Sequence, residues 1–264
     1  MAKSELVNKL LNKFELQLNK TTPRETLLEF RKMLTPVDNG FELIRAGSES
    51  DGGYLVPDDL KGMSKIISGG CDSAWSFEKF FLEQYDVESI IVDRISKKPI
   101  DLSPRIEYVD AWFGEGDNFA FVSLASILNG LEKTSEPELL LQLDIEGAEF
   151  SEVQRIPEEE LKRFRILVIE FHGLDRAINR EFHKSVILPV FKKILKDFDL
   201  VHSHANNCCG AISIHGVNFP RVLELTFHNK SRREGSLKVR TIPNQLDVPN
   251  DPSKADLKWA GKSA

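Results

Sequence analysis

The sequence predicts a doubly wound α/β fold, and three observations carry that expectation. From residue 40 onward, short β-rich runs alternate with helical stretches. Several of the runs, among them Leu-Leu-Leu-Gln-Leu and Ile-Leu-Val-Ile, are apolar almost throughout instead of alternating, which is the pattern of parallel strands covered on both faces. With 264 residues, 41% of them hydrophobic and 29% charged, the chain is long enough for one large domain with a substantial core.

The elements follow in order. Leu6, Leu10, Leu11, Phe14 and Leu18, then Leu27, Leu28, Phe30 and Leu34, have helical spacing interrupted at Thr21-Thr22-Pro23. This predicts an N-terminal helical extension over residues 1–38. Its two amphipathic helices present apolar faces to the domain or to a second copy, and the second opens on a threonine cap with proline in its first turn. Strands are expected at 64–68, 89–93, 105–110, 139–144 and 165–171, and helices through 77–81 and over 123–131, 157–163 and 179–198. Runs at 199–204, 209–215 and 221–227 have only turns between them and are expected to be antiparallel. The main domain would span 39–229. The segment 230–264, rich in Lys, Arg, Pro, Asp and Ser, reads as a loosely attached extension, with Lys230-Ser231-Arg232-Arg233 a solvated loop.

Composition narrows the function. Thirty-five basic against 41 acidic residues give a net charge of −6, so nothing draws the chain toward nucleic acid or anionic lipid. No run approaches the roughly 20 apolar residues of a membrane span. The N-terminus alternates charge with leucine where a signal peptide would have an apolar core, so a cytoplasmic protein without membrane insertion is expected. The 3 cysteines, Cys71, Cys208 and Cys209, do not pair completely, and a bridge between the adjacent two would be strained. Neither a disulfide framework nor a zinc site with four ligands is expected.

In an open parallel sheet, ligands bind beyond the carboxyl ends of the strands. The first strand ends in Ser68-Gly69-Gly70-Cys71-Asp72-Ser73-Ala74, a turn whose Gly69 and Gly70 let the backbone approach a ligand, followed by a helix opened by Ser76 with Glu78 in its first turn. Neither the GxGxxG spacing nor a phosphate-binding GxxxxGK pattern is present. The second strand ends at Asp93, about twenty residues on, placed to accept both hydroxyl hydrogens of a ribose. The next long strand ends in Asp144-Ile145-Glu146-Gly147-Ala148-Glu149. Such crowded carboxylates need solvent, hydrogen bonds, a cation or substrate polar groups; a helix N-terminus would account for Glu149 more easily than for Asp144.

Glu170 and His172, and likewise His202 and His204, share a side of their strands by alternation. At strand ends, neutral His172 and His204 are candidates to remove a hydroxyl proton. His183, His215 and His228 have no assigned role. Before the first strand, Asp51-Gly52-Gly53-Tyr54 marks a tight turn, and Arg45 and Tyr54 flank it in position to close over a cofactor's carboxylate.

These residues resemble the FkbM-type S-adenosylmethionine-dependent methyltransferases. Leu-Leu-Leu-Gln-Leu-Asp144-Ile-Glu146-Gly147-Ala148-Glu149 is similar to that family's "LLKxDxEGxE" block. Arg45 to Tyr54 is similar to an "R-x-G-x-x-x-DGGY" segment, Ser68 to Glu78 to "S-x-G-x-x-x-D-x-SFE", and Glu170-Phe171-His172 to a weaker fourth block. The resemblance covers about residues 40 to 228 and departs from the pattern at Asp72 and Ser73.

It implies a seven-stranded class I methyltransferase fold, S-adenosylmethionine as cofactor, and O-methylation of a hydroxyl on a sugar, free or nucleotide-linked, a glycan or a similar small molecule. By position, Gly70 would line the methionine moiety, Asp93 the ribose, and Asp144 with Glu146 the methyl-transfer centre. A base among His172, His204 and the acidic cluster would take the hydroxyl proton; alternatively Asp144 and Glu146 hold sugar hydroxyls, or share a divalent cation with Glu170 or His172. Two other readings share the sheet: an NAD-dependent sugar dehydrogenase or epimerase, whose glycine fingerprint and Tyr-x-x-x-Lys pair are missing, and a non-catalytic scaffold dimerising through the N-terminal helices.

Overall fold

The computed structural model describes residue 7 and residues 20–71, 75–94, 103–116, 118–257 and 259. Seven strands form one sheet: β1 (Lys65–Gly69), β2 (Glu88–Val92), β3 (Ile106–Val109), β4 (Leu139–Leu143), β5 (Phe164–His172), β6 (Phe198–Ala205) and β7 (Val222–Asn229). Their spatial order is β3-β2-β1-β4-β5-β7-β6. The pairings from β3 through β5 are all parallel. Strand β7 is antiparallel to both β5 and β6, so it alone runs against the rest.

Apolar runs become central strands because each face is covered. Alternation sends Ile66, Leu140, Ile166 and Val168 to one face, where Phe77 and Phe81 of helix α2 (Ser76–Gln84, following α1, Arg24–Met33) pack with Tyr54 and Val56. Ile67, Leu141, Leu143, Leu167 and Ile169 point to the other face. There they meet α1, α3 (Leu124–Asn129), α4 (Glu149–Arg155) and α6 (Leu188–Asp197), the last preceded by the short α5 (Glu158–Leu161) and separated from it by β5. Burying a large aliphatic side chain is worth about 1.5–3 kcal/mol, so this two-faced layer dominates stability. A hairpin, Leu43–Gly47 with Gly53–Pro57, lies against the sheet and aims its turn at the carboxyl edge. Among the described residues no helix is long and apolar enough to cross a membrane.

Several expectations are corrected. The first N-terminal helix lies, apart from Val7, outside the described residues. The second forms, but Pro23 is its cap residue and the Thr22 hydroxyl donates to the Ala177 carbonyl at 2.6 Å instead of capping. The run at 209–215 does not enter the sheet: Ala211–Ile214 pairs with Val217–Pro220 as a separate hairpin. Only β7 of the last runs is reversed relative to β5, because β6 pairs through β7 and regains the common direction. The structure joins Cys208 to Cys209, the bridge that the sequence analysis expects to be strained.

The C-terminal segment is anchored where the sequence predicts a loose one. Arg232 and Arg233 make two-pronged hydrogen bonds to the buried carboxylates of Asp59 and Asp199, at 2.6–2.9 Å. Lys238–Val239 pairs with Val37–Asp38, and the buried Trp259 donates its indole N–H to Ser203 Oγ at 2.9 Å. Opposite charges more than thirty residues apart in sequence are what the composition of this stretch could not reveal.

His183, 3% exposed, has no hydrogen-bond partner among the described residues on either ring nitrogen and meets the edge of Phe30. Burial lowers its pKa. The unfolded chain therefore binds the proton more readily, so stability is intact above the ordinary imidazole pKa and is lost as pH falls below it, by up to about 1.4 kcal/mol per pH unit. In urea unfolding at pH 7.5 and 5.5, His183→Leu is expected to lose less stability on acidification than wild type; identical losses would refute this.

Candidate active site

The chain's turns place the candidate residues on one edge. Leaving β1, Gly70 adopts φ +72°, and a Cβ there would stand 1.8 Å from the Asp144 carbonyl oxygen. Only glycine fits this turn. Gly69 before it is equally confined: its Cβ would press on the Phe113 ring at 2.5 Å. At the end of β2, Asp93 is buried and accepts the Cys71 backbone N–H at 2.9 Å, which ties the glycine turn to the neighbouring strand. A cavity of about 310 Å³ opens here. Its lining includes Asp93, Gly70, Ser76 and Glu78, the aromatic Trp112 and Phe113, and Tyr54, Gln142, Asp144 and Glu146.

The second half of the site is a cluster of carboxylates around one imidazole. His172 Nδ1 donates to Glu149 Oε1 at 3.0 Å. That oxygen also accepts the backbone N–H groups of Ile145 and Gly147, at 3.1 and 3.0 Å. Glu149 thereby holds both the loop and the ring in place. The other ring nitrogen, Nε2, stands 3.7 Å from Asp144, 3.5 Å from Glu146 and 3.8 Å from Glu170. The Tyr54 hydroxyl lies 3.4 Å from both Asp144 and Glu170. Behind Glu170, Asn206 donates to it at 2.9 Å, and Asn250 donates to Asp51 at 3.0 Å and to Glu224 at 2.5 Å.

Electrostatics follow from burial and crowding. Burial, reinforced by Glu146, Asp51 and Glu149 against the opposing pull of His172, raises the Asp144 pKa to about 7. Burial and the charges of Asp144, Glu224 and Asp51 push Glu170 well above the usual carboxylate range. Burial, then Asp144 and Glu170, raises the Tyr54 phenol, which stays protonated. For His172, burial disfavours the cation but the Glu149 hydrogen bond and the surrounding carboxylates outweigh it, so its pKa rises. Among the described residues, His172 is the only cationic group in ion-pair contact with Asp144, Glu146, Glu149 or Glu170.

Most of the expected site residues converge. Asp144, Glu146, Glu170 and His172 form the cluster; Tyr54, Gly70, Ser76, Glu78 and Asp93 line the cavity, with Gly69 behind it. Arg45 does not: its guanidinium donates to the Ser48 and Ser50 carbonyls of its own hairpin and stiffens the turn. His204 is set back behind Glu224, 3.2 Å away, outside the cavity lining. Asp72 and Ser73 lie outside the described residues.

Asp51, Trp112, Phe113, Gln142, Asn206, Glu224 and Asn250 were missed. The strand-end rule applied after β3 would have reached Trp112, and a lone polar residue inside an apolar strand flags Gln142. Nothing local marks Asn250.

The order β3-β2-β1-β4-β5-β7-β6 with β7 alone reversed is that of the class I, Rossmann-like methyltransferase fold. No protein-family model matches the chain, and no curated protein matches it in sequence. Solved structures similar to it include a Streptococcus pneumoniae protein provisionally described as a tRNA (m1A22) methyltransferase, in complex with S-adenosyl-L-methionine, at 11% identity over 79% of this chain and 73% of that one, with TM-score 0.34. A Thermoplasma acidophilum protein provisionally described as a methyltransferase follows at 10% identity, covering 65% of this chain and 70% of its own, TM-score 0.33. A variant of the 16S rRNA (adenine(1408)-N(1))-methyltransferase from Catenulisporales acidiphilia has 9% identity, covers 74% and 100%, and has TM-score 0.32.

Proposed function

We propose that the chain is an S-adenosylmethionine-dependent O-methyltransferase acting on a hydroxyl of a sugar, a glycan or a similar uncharged small molecule. One observation carries the reading: Asp93 and Asp144 line the same cavity, so a ribose-binding carboxylate and the acidic cluster face one bound molecule. In this reading Asp93 accepts the ribose hydroxyls, the turn at Gly70 passes along the methionine moiety, and Trp112 and Phe113 offer flat apolar faces to the adenine. The sulfonium methyl then points toward Asp144.

Methyl transfer needs an in-line oxygen about 3 Å from the methyl carbon and a means of drawing off its proton. The oxygen's electron pair forms the new C–O bond, the C–S pair returns to sulfur, and the hydroxyl proton leaves into the carboxylate cluster. A site this negative repels phosphate-dense acceptors and favours a polyol, whose hydroxyls donate to carboxylates. That is why a sugar is preferred here over the RNA acceptors named for two of the similar structures.

S-adenosylhomocysteine at about 100 times its Kd is expected to stabilise the protein by about 2.7 kcal/mol, raising Tm by about 5–10 °C. Asp93→Asn is expected to weaken that binding about 10–100-fold, the cost of charge-assisted hydrogen bonds to the ribose. A wild-type Tm indifferent to this ligand would refute the reading.

A further inference from the structure

The cluster at the ends of β4 and β5 has more than acidity to explain. Its donor set is mixed: one oxygen each from Asp144 and Glu170 and Nε2 of His172 all lie within 4.8 Å of one another. Ligand atoms about 2.1 Å from a common ion stand about 3.0–3.5 Å apart. The observed 3.7 and 3.8 Å from Nε2 to Asp144 and Glu170 need only a few tenths of an ångström of contraction.

The imidazole is set as a metal-binding one is. Its Nδ1–H is engaged by Glu149, a carboxylate outside the donor set that is itself held by two backbone N–H groups, so Nε2 faces Asp144 and Glu170.

A second observation is independent of the acids. Gln142, two residues before Asp144 on the same side of β4, is 3% exposed and lines the cavity beside it; its Nε2 donates to the Gly70 carbonyl at 3.4 Å, while its Oε1 has no hydrogen-bond partner among the described residues. A buried amide oxygen left without a donor calls for one from a ligand. Among the described residues no Lys or Arg makes an ion pair with Asp144, Glu146 or Glu170.

We propose that Asp144, Glu170 and His172 Nε2 bind one divalent cation of the manganese class, open toward the cavity, where it holds the acceptor oxygen for methyl transfer. Two carboxylate oxygens with one imidazole suit such an ion better than an all-oxygen calcium cage or a thiolate zinc site. The catalytic role rests on the methyltransferase reading; the site itself does not. In that role the acceptor hydroxyl gives its proton to the exposed Glu146 and on to water, while its oxygen takes the methyl group and the cofactor leaves as a neutral thioether.

The test uses the full-length protein, stripped with chelator and titrated with Mn²⁺ alone, free Mn²⁺ being followed by electron paramagnetic resonance. One saturable ion per chain is expected, with a ¹⁴N coupling from imidazole in the pulsed spectrum. Asp144→Asn and His172→Ala are each expected to weaken binding at least tenfold, the latter abolishing the nitrogen coupling. Glu149→Gln, which disturbs the support of the ring and of the 145–147 loop without removing a ligand atom, is expected to weaken it about 10–100-fold. Asp93→Asn is expected to bind Mn²⁺ as wild type does while losing S-adenosylhomocysteine, which separates this site from the cofactor reading. The absence of saturable Mn²⁺ binding by the wild-type protein, or binding without nitrogen coupling that His172→Ala leaves unchanged, would overturn the proposal whether or not the cofactor binds.

Discussion

Asp144→Asn is expected to lower kcat/KM for methyl transfer about 10²–10⁴-fold, the range associated with loss of a group that acts at the reacting hydroxyl. The residue borders both the cavity and His172, so in the proposed reading it faces cofactor and acceptor at once. Among the described residues its side chain makes one long hydrogen bond, 3.4 Å from the Tyr54 hydroxyl, and stands 3.7 Å from His172; the amide has the same shape, so the fold should tolerate the change. S-adenosylhomocysteine binding and Tm are therefore expected to stay near wild type while turnover collapses. Methylation undiminished in this variant would remove the acidic cluster from the chemistry.

The other large effect falls on the backbone. Gly70→Ala puts a methyl group where the Asp144 carbonyl oxygen already stands, 1.8 Å from the ideal Cβ, and asks alanine to hold φ +72°. The left-handed conformation alone costs about 1–2 kcal/mol, and relief of the overlap must move either the glycine turn or the end of β4. The loop proposed to pass the cofactor and the residue proposed to face the acceptor are thus displaced together. Binding of S-adenosylhomocysteine is expected to fall at least about 100-fold, as a lost set of backbone contacts would give, and Tm to drop by about 5 °C or more. Calorimetry showing wild-type affinity would mean that the turn does not touch the ligand. Because Asp144→Asn spares cofactor binding and Gly70→Ala does not, the pair separates chemistry from assembly of the pocket.

The parts of the fold that were legible are those governed by local pattern. Apolar runs such as Leu139–Leu143 become strands buried on both faces because nothing else satisfies five consecutive buried positions. Strand ends then carry Asp93, Asp144 and His172 to one edge by topology alone. What escaped was decided by distant partners. Arg45 has the charge to bind a carboxylate, yet carbonyls three and five residues away are nearer than any ligand. His204 has the right strand position, but Glu224, its cross-strand partner on β7, engages its ring at 3.2 Å. The C-terminal segment is polar and rich in turn formers, and only its encounter with Asp59, Asp199 and Ser203 orders it. Strand pairing within the last third also depended on which neighbour won: Ala211–Ile214 found a partner three residues away before the sheet could recruit it.

Strand β7 sits between β5 and β6, although the chain makes β6 first. During synthesis, β5 must wait with one edge unpaired until residues 222–229 arrive from beyond a hairpin. That exposed edge is an aggregation hazard while it lasts. It is also the flank on which Glu170 awaits Glu224, so this side of the carboxylate cluster is among the last parts of the molecule to come into being.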